Sequence, residues 1–395
     1  MYYLFLLLQY CKKIITSDPE QALTVLKHTN HKGHVGKLSK RLIGNGLAFA
    51  PEKLWQRRRK VLFPSFSSKH LAQFVHVFES QTKTVVKKLK PQIEKGNFSM
   101  WDYLNLNSLD SICETAFGIN LKIQSRPDRP LFDDLTQYLK NLSALYCQPL
   151  LGVDAIYNIL PISKEQTRLK QKIYNFIDDV TEFSSVTMEC FLETMIKNSN
   201  DDGKNYTLKE LREEVLTLAI AGSDTSATAT CFAITLLAHH PDIQDKVYQE
   251  LLRVLKENKP LEIGDVQKLK YLDAVVKETL RLYPPVPVIN RYLKQEIQLR
   301  LLLEQNETVV INVWGLHHNP NYWGSDVEEF NPDRFISRPP PVAGSYLPFS
   351  NGPRNCIDTI MSLAVNFMVS VFRDDVRAHP KDSPSSFFPN PTIIK

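Results

Sequence analysis

A loop near the end of the chain carries a cysteine in a setting that suits a thiolate metal ligand. Cys356 closes the segment FSNGPRNC at 349–356. Gly352 supplies turn geometry, Phe349 offers a hydrophobic wall, and Arg354 places a fixed cation before the sulfur. The apolar run after Cys356 predicts a helix whose first amides favour the thiolate over the thiol, whose unperturbed pKa is about 8.5. The alternative is a structural cysteine buried in a surface turn.

A second reactive group lies in the middle of a long predicted helix. A capping box at Thr207 starts this helix, and no residue other than Gly222 interrupts it before Pro241. A glycine inside a helix costs roughly 1 kcal/mol relative to alanine. Because Gly222 stands next to an acid and a hydroxyl, Asp224 and Thr225, close approach of a flat ligand would justify that cost. The alternative is a core helix with a harmless flaw.

The elements that must position these groups are predominantly helical. Apolar periodicity predicts a strand and then a helix capped at Ser17 or Asp18 with Pro19 in its first turn. Further helices are predicted at 52–62, 68–89, 108–117, 131–196, 207–240, from 241, and from about 271 to before Pro284. Strands are predicted at 286–292 and 308–313, followed by an irregular stretch to Leu347. Glu278 and Arg281 lie three apart on one helical face and can pair, although such pairs are common.

Composition narrows the function classes. With 43% hydrophobic and 23% charged residues, the 395-residue chain is globular. The basic run at 57–60 fits an amphipathic helix better than a nucleic-acid site. The cysteines show no metal or disulfide spacing, which favours a reducing compartment. No serine-hydrolase elbow or phosphate loop occurs. The apolar segment Met1 to Leu8 is shorter than the ~20 residues of a membrane span, so we expect a strand or the stub of an anchor.

In chain order, the motifs resemble those of the cytochrome P450 superfamily of haem-thiolate monooxygenases. They are Trp55-x-x-x-Arg59, Ala221-Gly222-x-Asp224-Thr225, Glu278-x-x-Arg281 with Arg334 in FNPDRF at 330–335, and Phe349-x-x-Gly352-x-Arg354-x-Cys356. Any single motif could arise by chance, whereas all of them in this order could not. The resemblance covers about 14–356. Segments 56–62 and 112–118 are similar to the animal family 4 branch, and 221–227 to its insect members.

The resemblance implies a mainly α (α+β) fold, in which a long central helix crosses the haem beside a small β-rich region. It implies a single domain over 1–395. Within that domain the helical core spans about 52–283, and the following helix, meander and haem-binding loop span about 271–356. The tail 357–395 is atypical, because Thr359 to Lys395 bears little likeness to the family.

The resemblance also implies roles for individual residues. Cys356 becomes the axial ligand of haem b, in a loop completed by Phe349 and Gly352. The haem propionates are held by Trp55, Arg59, Arg291 and Arg354. Protons reach iron-bound dioxygen through Asp224 and Thr225, with oxygen admitted beside Gly222. A structural triad consists of Glu278, Arg281 and Arg334.

Partners follow from the same resemblance. Electrons are expected from NADPH through NADPH-cytochrome P450 reductase, with cytochrome b5 left open as a further donor. The substrate is expected to be a lipophilic small molecule, with fatty acids, hormones, odorants and xenobiotics all open. No nucleic acid is expected. The implied location is the cytoplasmic face of the endoplasmic reticulum membrane, the source of microsomes. Ala221 replaces a glutamate that can esterify the haem in many family 4 members, which excludes that covalent link.

Two departures from the family lead to hypotheses that compete with monooxygenase activity. Asp358 stands where the family places a glycine, and we expect the usual anchor helix to be missing, with both ends truncated or misassembled. A carboxylate so close to the thiolate predicts weak haem retention. The rivals are a haem-binding P450-like protein without turnover and a non-functional fragment that binds no haem.

Overall fold

A computed structural model describes residues 13–357, except 68–69, 71, 93–97, 127, 149–152, 184–189, 202–205, 256–258, 260, 299–301, 338–339 and 341. Most of this part is helical. The helices are α1 (Pro19–His28), α2 (Gly33–Leu42), α3 (Glu52–Leu62), α4 (Val75–Leu89), α5 (Met100–Phe117), α6 (Pro130–Cys147), α7 (Asp154–Ile159), α8 (Pro161–Phe183), α9 (Phe191–Asp201), α10 (Leu208–His239), α11 (Pro241–Val254), α12 (Ile263–Val266), α13 (Lys270–Leu282), α14 (Val313–His317), α15 (Pro320–Trp323) and α16 (Asp333–Ser337).

The described strands form two small sheets. They are β1 (Lys13–Thr16), β2 (Val288–Tyr292), β3 (Ile297–Gln298), β4 (Leu302–Leu303) and β5 (Thr308–Asn312). The larger sheet has the order β1-β5-β2, with β1 parallel and β2 antiparallel to β5. Strands β3 and β4 form an antiparallel pair. The mainly helical fold with a small β-rich region is therefore confirmed.

Local sequence signals set several helix starts as predicted. Asp18 caps α1, since its side chain accepts a hydrogen bond from the amide of Gln21 at 2.9 Å. At α10, Thr207 Oγ1 accepts from the amide of Glu210 at 3.3 Å, and the Glu210 carboxylate accepts from the amide of Thr207 at 3.0 Å. Helix α3 has the predicted bounds.

Other boundaries differ from the prediction. Helix α5 begins at Met100 and not at 108. The prediction missed its first half because buried polar residues such as Asn105 and Asn107 hide the amphipathic period there. After a 3₁₀ turn at Phe63–Phe66, His70 and Ala72 are helical and helix α4 spans Val75–Leu89, so the helix predicted at 68–89 is interrupted at Gln73 and Phe74. The glycine-bearing helix α2 was not predicted, and the region 131–196 divides into α6, α7, α8 and α9.

Helix α10 is the central element, since it is buried along most of its length and packs mainly against α5. Ala221 is exposed, and Asp224, Thr225 and Thr228 are only partly buried. These positions repeat at three and four residues and therefore share one face of the helix. We call these four residues the α10 stripe.

Candidate haem site

The loop around Cys356 is folded against α1. The amide of Cys356 donates to the carbonyl of Phe349 at 3.0 Å, and the thiol is exposed. Gly352 has φ +75°, and a Cβ there would lie 2.2 Å from the carbonyl oxygen of Leu26. Glycine is therefore required for the loop to approach α1, as the turn prediction anticipated. Phe349 packs beside a small cluster of apolar residues from α10 and α13, namely Ala229, Ala233, Val276 and Leu280.

Arg354 is buried beneath this loop, with 8% of its surface exposed. Its guanidinium donates to the carbonyls of Asn30 and Ala50, both at 2.6 Å, and lies 5.1 Å from the ring centroid of Trp55. Burial and the nearby Arg291 lower the pKa of Arg354 to about 10. The carbonyls solvate the cation, but they do not neutralise its charge.

Arg59 joins α3 to the cysteine loop. Its guanidinium donates to the backbone oxygen of Asn355 at 2.7 Å and to the side-chain oxygen of the same residue at 2.6 Å. Burial lowers the pKa of Arg59, and the charge of Cys356 opposes that shift. Asn355 was not singled out in the sequence. It fixes Arg59 next to the residue that carries the sulfur.

The neighbouring Arg58 anchors α3 to α10. Its buried guanidinium lies 2.7 Å from a carboxylate oxygen of Glu214 and 2.8 Å from one of Glu210. Burial raises the pKa of Glu214 to about 7, although Arg58 opposes that change. The basic run at 57–60 therefore includes one buried and paired residue, Arg58. This residue orients the helix that presents Trp55 and Arg59.

Arg291 reaches the same region from β2. It is 2% exposed and donates to the carbonyl of Asn290 at 3.0 Å. Its buried Nε has no hydrogen-bond partner within the described residues. Burial lowers the pKa of Arg291 to about 10. The Nε atoms of Arg58 and Arg334 are unpaired too, but those guanidinium groups contact carboxylates, whereas Arg291 contacts none among the described residues.

Lys32, which the sequence did not single out, is a fourth cation in this region. Its ammonium lies 5.0 Å from the ring centroid of Phe49. Burial, followed by Arg354 and Arg291, lowers the pKa of Lys32 to about 7, while Cys356 raises it. Lys32 therefore lies within the electrostatic reach of Arg354, Arg291 and Cys356.

We define the cation cluster as Lys32, Arg59, Arg291 and Arg354. Glu52 is the carboxylate that raises the pKa of Arg354. Glu52 also lies 3.5 Å from the ammonium of Lys294 and accepts from Asn30 at 3.3 Å. Among the described residues, the cluster thus has more positive charge than the protein neutralises. Such a site suits an anionic ligand.

The α10 stripe carries the residues predicted to handle protons. The hydroxyl of Thr225 donates to the carbonyl of Ala221 at 2.6 Å. Burial raises the pKa of the neighbouring Asp224. An acid and a hydroxyl therefore lie on consecutive positions of a helix face that is open.

Gly222 lies on a different side of α10 and is buried. A Cβ at this position would lie 2.8 Å from Cδ1 of Ile112 in α5. Close packing between the two helices therefore accounts for the glycine. Admission of oxygen beside Gly222 stays a prediction, and the geometry gives it no separate support.

The structure brings the predicted structural triad together. Arg281 pairs with Glu278 at 2.7 Å, and both side chains are fully buried. Arg334 Nε lies 3.4 Å from the same carboxylate, while its Nη2 lies 2.6 Å from Asp326. We call Glu278, Arg281 and Arg334 the triad. Asp326, a partner that was not predicted, supplies the second negative charge.

His317 connects the triad to the cysteine loop. The guanidinium of Arg281 donates to the carbonyl of His317 at 3.0 Å. The Nε2 atom of His317 accepts from the amide of Leu347 at 2.8 Å. Burial lowers the pKa of His317 to about 3, so the ring is neutral and can accept this bond. The sequence contained no local signal for this link.

An apolar cavity lies on another side of α10. It has about 380 Å³ of empty volume, part of it open to solvent, and its lining includes Leu109, Cys113, Leu216 and Ala219. At 100° per residue, Leu216 points about 180° away from Thr225. The cavity therefore does not belong to the α10 stripe.

Comparison with known proteins supplies the family. A family model described as cytochrome P450 matches residues 3–365. The chain belongs to the cytochrome P450 family. Cytochrome P450 4d8 of Drosophila melanogaster is 28% identical over 375 residues, which cover 87% of this chain and 81% of that protein. Cytochrome P450 4V2 of Homo sapiens is 32% identical over 342 residues, which cover 80% of this chain and 64% of that protein. These relatives support a family 4 cytochrome P450.

The family consists of haem-thiolate monooxygenases, oxidoreductases that use haem iron, a redox partner and a small-molecule substrate. The residues of this P450 chain fit haem on two observations. The cation cluster lacks sufficient anions, and the buried Nε atoms of Arg291 and Arg354 lack partners within the described residues. A haem group offers two carboxylates for such cations. Its iron requires a ligand such as the exposed thiol of Cys356.

Several predictions fall outside the described residues. Asp358, the helix expected after Cys356, the tail to Lys395 and the segment Met1 to Leu8 are among them. No helix within the described part of this P450 chain is long and apolar enough to cross a membrane.

Proposed function

We propose that this chain holds haem b through Cys356 and inserts one oxygen atom of O2 into a lipophilic substrate. Electrons come from NADPH through NADPH-cytochrome P450 reductase, with cytochrome b5 as a further donor. The observation that carries the proposal is a largely buried cation cluster, short of anions, beside an exposed thiol. Haem, when bound, would supply the oxygen chemistry, and a thiolate ligand from Cys356 would favour cleavage of the O–O bond.

The residues around the thiol bind and orient the cofactor. Arg291 and Arg354 would bind its carboxylates, because each is a buried cation with an unpaired Nε. The ring of Trp55 lies 5.1 Å from the guanidinium carbon of Arg354 and would help hold it through a cation–π contact. Arg59 holds the loop through Asn355 and its charge favours the thiolate of Cys356.

The α10 stripe would move protons. Asp224 has a raised pKa, so it can exchange a proton closer to neutrality than an ordinary aspartate. The Thr225 hydroxyl donates to the carbonyl of Ala221, and its oxygen can still accept a hydrogen bond from the side of Asp224. We infer a relay in which Asp224 connects solvent to Thr225, and Thr225 passes a proton to the open face of the helix when its hydroxyl releases the carbonyl of Ala221.

Exposed apolar groups near this face support a lipophilic substrate. Phe232 follows Thr225 by two helical turns on the same face of α10. Its ring stacks on Tyr283 with a centroid distance of 4.8 Å. Tyr283 is 44% exposed. Exposed aromatic and aliphatic groups at the edge of a site attract apolar ligands. A lipophilic substrate also fits the proposed location at the cytoplasmic face of the endoplasmic reticulum membrane.

Turnover is tested by isotope incorporation. The full chain is reconstituted with haem, the reductase and NADPH under ¹⁸O2, and incubated with a panel of fatty acids and terpenoids. The proposal predicts a product that carries one ¹⁸O atom, and no such product with Cys356→Ala. Haem uptake without any labelled product from the panel would favour the rival, a haem-binding protein without turnover.

A further inference from the structure

We infer that Lys32 is a further positioning residue for the cofactor, binding a haem carboxylate together with Arg291 and Arg354. This inference rests on the proposed haem binding. The backbone beside Lys32 is fastened to the strand that carries Arg291. The hydroxyl of Thr29 donates to the carbonyl of Tyr292 at 2.8 Å, and the amide of Tyr292 donates to the carbonyl of His31 at 2.8 Å.

The close contact extends to the next residue. A Cβ on Gly33 would lie 2.9 Å from Cβ of Tyr292, so the chain on both sides of Lys32 contacts β2. The carbonyl of Asn30, two residues before Lys32, accepts from Arg354 at 2.6 Å. Lys32 is thus held between the strand of Arg291 and the loop of Arg354, and its position is built into the fold.

The ammonium of Lys32 has no carboxylate partner within the described residues, and its close contact is the ring of Phe49 at 5.0 Å. The charges that act on it are the cations Arg354 and Arg291 and, in the opposite direction, Cys356. A cation held against other cations destabilises the polypeptide unless an anion joins it. A lysine that served only the fold would have a carboxylate partner or lie in solvent. The arrangement instead favours a ligand that carries carboxylates.

The test measures cofactor loss from the full chain. The chain is loaded with haem or with haem dimethyl ester, in which both carboxylates are blocked, and the rate of transfer to excess apomyoglobin is recorded. We expect Lys32→Met to lose haem about tenfold faster, which corresponds to about 1.4 kcal/mol. Lys32→Arg should stay close to the parent. Lys53→Met, which removes an exposed lysine of α3, should not change the rate.

The ester separates a carboxylate contact from a general defect. With haem dimethyl ester, Lys32→Met and the parent should lose the porphyrin at equal rates. Equal acceleration for both porphyrins, or an unchanged rate for haem, would overturn the assignment. A parent chain that takes up neither porphyrin would overturn the proposed function itself, so the two failures are distinguishable.

The haem-free chain gives a second readout that a structural lysine would not give. Lys32→Met should raise the urea midpoint of the haem-free protein, because it relieves repulsion by Arg291 and Arg354. Greater stability without haem together with faster haem loss would support the assignment. A lowered midpoint of the haem-free chain would contradict it, because Lys32 would then stabilise the fold.

Discussion

Two groups of buried arginines in this protein differ in how far nearby carboxylates balance their charge. In the triad, Arg281 and Arg334 are matched by two carboxylates, Glu278 and Asp326. In the cation cluster, Arg291 and Arg354 share their surroundings with two more cations, and the cluster's carboxylate Glu52 also contacts Lys294. Charge balance within the polypeptide indicates a structural role. Imbalance indicates a place for an anionic ligand.

The two regions are mechanically connected. The triad holds the carbonyl of His317, and His317 holds the amide of Leu347 at the start of the cysteine loop. The rigid, charge-balanced triad therefore supports the cation cluster, whose charge is not balanced. We expect mutations in the triad to affect folding, and mutations in the cation cluster to affect cofactor retention.

The largest expected effect is that of breaking the triad. Glu278→Gln removes the charge that Arg281 and Arg334 share, which leaves two buried guanidinium groups undercompensated. We expect a loss of about 3 to 5 kcal/mol in the free energy of unfolding. Urea denaturation of the haem-free chain measures it.

Glu329→Gln is the matched control, because its exposed side chain lies outside the triad while its carbonyl accepts from Arg281. This control should change the free energy of unfolding by less than about 0.5 kcal/mol. If Glu278→Gln were as mild as the control, the triad would not be the stabilising region of the comparison.

A change on the α10 stripe should separate binding from turnover. Thr225→Ala removes the hydroxyl that presents the proton but leaves the cation cluster intact, so haem content should not change. We expect proton delivery to fall at least about tenfold, with electrons diverted to peroxide. NADPH consumed is measured against product formed.

Thr230→Ala is the control for this prediction. The Thr230 hydroxyl makes the same kind of bond, to the carbonyl of Ser226 at 2.8 Å, on the buried side of α10. It should leave the ratio of product to NADPH unchanged. Unchanged coupling in Thr225→Ala would remove Thr225 from the relay.

The charge imbalance should also appear as a pH dependence. The pKa of Lys32 falls from 10.5 to about 7 on folding, so between these values the unfolded chain binds more protons. The contribution of Lys32 to the free energy of unfolding of the haem-free chain should therefore rise with pH, by at most about 1.4 kcal/mol per pH unit. The test compares urea midpoints at about pH 8 and about pH 9 between the parent and Lys32→Met, because the buried thiols of Cys113 and Cys231, whose pKa burial raises, lower the stability of both proteins over this interval.

The pH values of this test lie above the range in which the carboxylate of Glu214 opposes the effect of Lys32. Folding raises the pKa of Glu214 from 4.5 to about 7, so the stability that Glu214 contributes falls as pH rises through that range. Above that range the loss of this stability is complete. Lys32→Met should reduce the slope between the two midpoints. A slope that persists in this variant would assign the pH dependence to other groups.

Residues with local signals could be predicted from the sequence. Gly352 and the capping box at Thr207 act over a few residues, and the structure shows both in the expected geometry. The pairing of Glu278 with Arg281 could be predicted from the sequence, because the two residues stand three apart on one face of a helix. The resemblance to a known family supplied Arg291, since no local pattern in β2 singles it out.

Long-range contacts explain what the sequence could not show. Lys32 belongs to the site because of Arg291 and Arg354, which lie on a distant strand and a distant loop. His317 matters through its bond to Leu347, and a single histidine carries no signal of that partner. Gly222 showed as an anomaly in a helix, but only packing against Ile112 revealed its cause.

The smallest expected effect concerns Asp358, which lies outside the described residues. An aspartate near a helix start is favourable by roughly 0.3 to 1 kcal/mol, but a second anion near the thiolate opposes its ionisation. We predict that Asp358→Gly increases haem retention. The haem-to-protein ratio after gel filtration measures it, and equal or lower retention in the glycine variant would show that the carboxylate is accommodated.

The central claim is that the cation cluster and Cys356 together hold haem through a thiolate. Its most direct test is the absorption spectrum of the purified full chain, reduced and bound to carbon monoxide. We predict a thiolate-type Soret band that disappears in Cys356→Ala. The band should remain in Cys231→Ala, which removes a buried thiol of α10. A parent chain without this band, or a Cys356→Ala variant that retains it, would contradict the account.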